Sequence, residues 1–160
     1  IGATGVAGPT GASAPDQGFS VSIGNVFTTT QTTTLTPIGT VSGLPYYNSG
    51  MYDTGTGVVT VPATGKWLAA IAIEIDNSSS NVLSRAVLGL SLNSNNILTA
   101  GFTDSNGLFV TINDEFFYGS SGMFSLVAGD TLSLTLNITN TSTGLVPSTT
   151  FITFSMQRII

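Results

Sequence analysis

Leu132-Ser133-Leu134-Thr135-Leu136-Asn137-Ile138 puts an apolar residue at every second position. Successive side chains of a strand point to opposite faces, so this pattern predicts a β-strand with one face in a core. Ala128-Gly129-Asp130 precedes it as a turn, and Asn140 to Pro147 follows as a loop. Phe151-Ile152-Thr153-Phe154-Ser155-Met156 and Phe19-Ser20-Val21-Ser22-Ile23 alternate in the same way. Trp67-Leu68-Ala69-Ala70-Ile71-Ala72-Ile73-Glu74-Ile75 is a longer apolar run. Its isoleucines, Gly65 before it and Asn77-Ser78-Ser79-Ser80 after it favour a central strand over a helix.

The rest of the chain reads as short strands and turns. Asp53-Thr54-Gly55-Thr56-Gly57 turns into a strand at Val58 to Val61, and Pro62 to Gly65 turns again. Val87 to Leu92 is a strand and Asn93-Ser94-Asn95-Asn96 a turn. Further strands are expected at Leu108–Ile112 and Phe116–Phe124. Gly43-Leu44-Pro45 and Asn48-Ser49-Gly50 read as turns, and the threonine-rich tract Thr28 to Thr36 as an edge strand or loop. Many short strands without a helix predict an all-β sandwich or barrel.

Before Gly18 the pattern is different. Glycine recurs at Gly2, Gly5, Gly8 and Gly11, with Pro9 among them. Only glycine fits at the axis of three wound chains, so this period of three reads as the end of a collagen-like stalk. The expected organisation is stalk over 1–13, linker over 14–17 and an all-β head over 18–160. Winding three chains in one register needs a nucleus. A head that associates in threes holds the chain ends at high effective concentration.

Composition narrows the function classes. Charged residues are 7% of the chain, against roughly 25% in an average soluble domain. Lys66, Arg85 and Arg158 are the only cations among 160 residues, and the net charge is −5. That is no footprint for nucleic acid, and none for an anionic membrane. No apolar run approaches the ~20 residues of a membrane span. Histidine and cysteine are absent, which removes the usual proton shuttle, the thiolate nucleophile and the zinc–thiolate site.

The remaining chemistry is sparse. Glu74 and Asp76 share a face of one strand, which is also how a solvated rim looks. Asp104-Ser105-Asn106-Gly107 and Asn113-Asp114-Glu115 are oxygen-rich but lack the spacing of a calcium loop. Asn77-Ser78-Ser79, Asn137-Ile138-Thr139 and Asn140-Thr141-Ser142 match the N-glycosylation pattern, as a Ser/Thr/Asn-rich chain does by chance. The expectation is a protein that is not an enzyme and holds no cofactor or metal.

Several pieces, in order, resemble C1q-type globular domains. They are Tyr52-Asp53, Thr56-Gly57, Val59, Val61-Pro62, Gly65 and Trp67, then Leu90-Ser91-Leu92-Asn93, Ala128-Gly129-Asp130 and Thr150-Phe151-Ile152-Thr153-Phe154. Thr153 stands where that family has glycine, and Val59 where it usually has an aromatic. With the Gly-x-Thr triplets and the missing cysteines, the whole looks most like bacterial collagen-like surface proteins of the BclA exosporium type.

The resemblance implies a C1q/TNF-like jelly roll that forms a homotrimer and caps a filament on a spore or cell exterior. It also implies sugars on Thr4 and Thr10. A virion fibre head is the alternative setting. Glycan or host-receptor recognition through Asn/Ser/Thr-rich loops is the alternative role. Tyr52, Trp67, Phe151, Phe154 and Met156 are the candidate residues of the seam between subunits.

Overall fold

The computed structural model describes residues 17–24, 33–35, 47–48, 50–77, 83–103, 114–140 and 149–159. The described strands are β1 (Gly18–Gly24), β2 (Thr33–Leu35), β3 (Tyr47–Asn48), β4 (Val58–Thr60) and β5 (Gly65–Asn77). After them come β6 (Leu83–Leu92), β7 (Asn95–Thr103), β8 (Asp114–Leu126), β9 (Thr131–Asn140) and β10 (Thr149–Arg158). No helix occurs among the described residues. The stalk expected over 1–13, linker positions 14–16, Gly43-Leu44-Pro45, Leu108–Ile112 and most of the loop from Asn140 to Pro147 lie outside them.

The strands form two antiparallel sheets. One runs β3-β1-β10-β5-β8; the other runs β2-β9-β6-β7, with β4 also paired to β9. The period-two pattern explains which faces meet. Leu132, Leu134, Leu136 and Ile138 of β9 are buried, while Ser133, Thr135 and Asn137 point the other way and stay half-exposed. From the other sheet come Phe19, Val21 and Ile23, the isoleucines of β5, and Ile152, Phe154 and Met156. These two inner faces make one core.

An aromatic cluster anchors that core near the ends of β1 and β10. Phe19 stacks on Tyr52 with centroids 5.2 Å apart, and Phe154 meets Phe19 edge-on at 4.8 Å. Such offset and edge-on pairs suit the ring quadrupole. Trp67 is fully buried, and its indole N–H donates to the Ala63 carbonyl at 3.3 Å.

β7 differs from expectation. The turn is confined to Asn93 and Ser94, both with positive φ, and Asn95 already belongs to β7. A two-residue turn of that hand matches the twist of the strands it joins. A register shift at Leu90/Ser91, opposite Leu98 and Asn96, breaks the alternation that would have revealed β7.

Candidate assembly face

The outer face of the first sheet is the unusual surface of this molecule. Strand registers place its residues in rows running across β1, β10, β5 and β8. One row is Gly24, Phe151, Glu74 and Phe117. The next is Ser22, Thr153, Ala72 and Gly119, followed by Ser20, Ser155, Ala70 and Ser121. The last is Gly18, Gln157, Leu68 and Met123.

Two rows of small residues are therefore flanked by rows that carry large apolar ones. Phe117 is 70% exposed, Met123 61%, Leu68 44% and Phe151 40%. The small rows form a shallow trough. One hollow of about 270 Å³ includes Ser20, Ala70 and Ser155; a second of about 340 Å³ includes Ala72, Gly119, Ser121 and Thr153. Charge is scarce here: Glu74 and Lys66 are the charged side chains described on the face, at opposite ends of β5.

Gly119 is informative because nothing in its own chain asks for glycine. A Cβ there would meet the Ala72 Cβ at 3.7 Å, which is ordinary contact. Its φ is not positive. Glycine inside a strand costs stability, and it often marks close approach by another backbone.

The five seam candidates separate clearly. Tyr52, Trp67, Phe154 and Met156 are at most 4% exposed in a single chain, so they have no area left to give a partner. They belong to the aromatic and aliphatic core of the single chain. Phe151 does lie on the open face. Leu68, Ala70, Ala72, Phe117, Gly119 and Met123 share that face and were not singled out from the sequence. The signal was present in β5, where Leu68, Ala70 and Ala72 occupy the outward positions that a water-facing strand fills with polar residues.

The end of the fold nearest Gln17 is held by hydrogen bonds. The Arg158 backbone N–H donates to the Gln17 carbonyl at 2.9 Å. The Arg158 guanidinium donates to the Thr64 carbonyl at 2.9 Å and to Gln17 Oε1 at 3.4 Å. The first described residue and the last strand thus leave from one end of the sheet. At that end Asp130 closes a clasp. It accepts from the Val127 N–H at 2.8 Å and from Asn93 Nδ2 at 2.9 Å. Asn93 Oδ1 in turn accepts from the Thr131 N–H at 3.0 Å.

Those donors hold the Asp130 carboxyl below its ordinary value, the Val127 N–H first and the Asn93 amide second. Asp53 is lowered in the same way, chiefly by the Thr56 hydroxyl and then by the Gly55 N–H. Both carboxylates are spent on turns. Among the described residues no group of acidic side chains could hold a metal ion.

No protein-family model and no curated protein matches the chain. Solved structures do. The globular domain of zebrafish complement 1qA covers 91% of this chain and 98% of its own, with a TM-score of 0.62 at 15% identity. Murine APRIL, crystallised at pH 5.0, covers 89% and 100%, with a TM-score of 0.53 at 13% identity. The chain has a C1q/TNF-like jelly-roll fold. In this jelly roll the trough lies on the β3-β1-β10-β5-β8 sheet, and the Ser/Thr/Asn face of β9 lies on the other. At such low identity the likeness speaks for the fold alone.

Proposed function

We propose that this jelly roll is the trimerising head of a collagen-like surface filament, and that the trough face is its seam. The observation that carries this reading is a nearly uncharged sheet face with Phe117, Met123, Leu68 and Phe151 exposed around a floor of Ala, Ser, Thr and Gly. Water is a poor partner for such a face, and a large exposed apolar patch usually marks an interface. The floor lets a second sheet come close, while the large side chains supply apolar area at about 25 cal/mol per Å² buried.

Three copies follow from the glycine triplets, since a collagen-like stalk needs three chains. Gln17 leaves the head at one end, beside Arg158. Three parallel heads would therefore release three stalks side by side, which is the register a triple helix must start from. The resemblance to C1q-type heads supports the same number. The β9 face, with Thr131, Ser133, Thr135, Asn137 and Thr139, would form the hydroxyl-rich exterior suited to a spore, cell or virion surface.

Gly119→Val tests the seam. Valine suits a strand and Gly119 has room for a Cβ, so the variant should fold as a single chain, which far-UV circular dichroism checks. Added bulk on the trough floor should leave the variant monomeric in size-exclusion chromatography with light scattering. A Gly119→Val protein that assembles as well as the parent would remove the trough from the seam.

A further inference from the structure

The chain has three methionines and no cysteine. Thiols and thioethers are the side chains that peroxides oxidise most readily, so methionine sulfur is the target this sequence offers. The fold treats the three unequally. Met51 is 6% exposed and Met156 2%, and both belong to the core between the sheets. Met123 is 61% exposed. The one tryptophan, Trp67, is fully buried.

The place of Met123 in β8 explains its openness. It lies on the outer face of the first sheet and pairs directly with Leu68 of β5. β8 is the edge of that sheet, with no strand beyond it among the described residues. Side chains two positions apart on a strand share a face. For Met123 these neighbours are Ser121 and Ser125, which are too short to cover a thioether. Leu68 flanks it on one side and is itself exposed.

We propose that Met123 is an oxidation site of this protein. Hydrogen peroxide and related two-electron oxidants convert its thioether to the sulfoxide on the folded chain, while Met51 and Met156 stay reduced. The sulfur lone pair attacks one peroxide oxygen as the O–O bond breaks. An S–O bond forms, and the other oxygen leaves with both hydrogens as water. Sulfur loses two electrons and the peroxide gains them. The side chain points away from the core, so no buried contact is lost. A polar oxygen now stands beside Leu68 on a face that carries little charge. Methionine sulfoxide reductases reverse the step.

The site rests on the exposure of a single chain. The seam reading adds that assembly would cover the same sulfur, so the test is made on Gly119→Val, expected to be a single head, and on the parent. The parent diluted until it dissociates serves as a second single head, free of any change at position 119. Dilute hydrogen peroxide with peptide mass mapping follows the three sulfurs in time. In the folded single head, Met123 should react at least about tenfold faster than Met51 or Met156, which are reached only when the core opens. In guanidinium chloride all three should react alike. Oxidised Gly119→Val should leave a hydrophobic-interaction column earlier, and adding Met123→Leu should abolish that shift.

If Met51 or Met156 keeps pace with Met123 in the folded single head, or if the retention shift survives Met123→Leu, the oxidation site is refuted. The assembled parent separates this from the seam. There Met123 should react more slowly than in Gly119→Val. If it reacts as fast, the seam reading fails while the oxidation site stands.

Discussion

Asp130 shows how much a single residue does in this fold. Its carboxylate ties the Val127 N–H to the Asn93 amide, and Asn93 ties the start of β9. The Gly-Asp turn before β9 and the Asn that follows β6 are far apart in sequence, yet they form one clasp. Both were legible as separate motifs. Their partnership was not, because nothing in either stretch names a residue 37 positions away. A carboxyl held below its ordinary value of 3.8 contributes stability above that value and loses it as pH falls through the lower folded value. Asp130→Asn should therefore lower the unfolding midpoint at neutral pH. The gap between variant and parent should narrow only below about pH 4. A gap that stays constant into strong acid would mean the carboxylate's charge is not what the clasp uses.

Among the strands, periodicity was a good guide wherever one face met the core and the other met water. β1, β9 and β10 were read from alternation alone, and β5 from its isoleucines. β7 was hidden by the irregular register beside Ser91 and by Asn95 and Asn96, which look like turn residues. The outer face of the first sheet was harder to read because Ala, Ser and Thr at outward positions resemble a solvated surface. Their meaning emerges only when β1, β10, β5 and β8 line up in rows. Two strand glycines show the difference between demands from inside and outside the chain. Gly101 has φ +136°, and a Cβ there would collide with the Ala86 carbonyl. Gly101→Ala should cost about 1–3 kcal/mol in chemical denaturation, without changing the assembly state of the folded protein. An alanine variant as stable as the parent would show that β7 adapts its path. Gly119 has no such internal reason, which is why its substitution reports on a partner.

For the whole molecule, the two sheets have unequal outer faces. β9 presents hydroxyls and an amide, while β5, β8 and β10 present alanine, glycine and the exposed rings of Phe117 and Phe151. The composition made an all-β head with few charges legible, but not which large side chains it exposes. Tyr52, Trp67 and Phe154 looked as fit for a seam as Phe151, and the fold took them for its own core. The central claim is that the trough is covered by two further copies. Light scattering on the chain at micromolar concentration measures this directly. The account predicts close to three times the 16.4 kDa of one chain. A single well-behaved particle of one chain's mass, with Phe117 and Met123 still open to water, would contradict it.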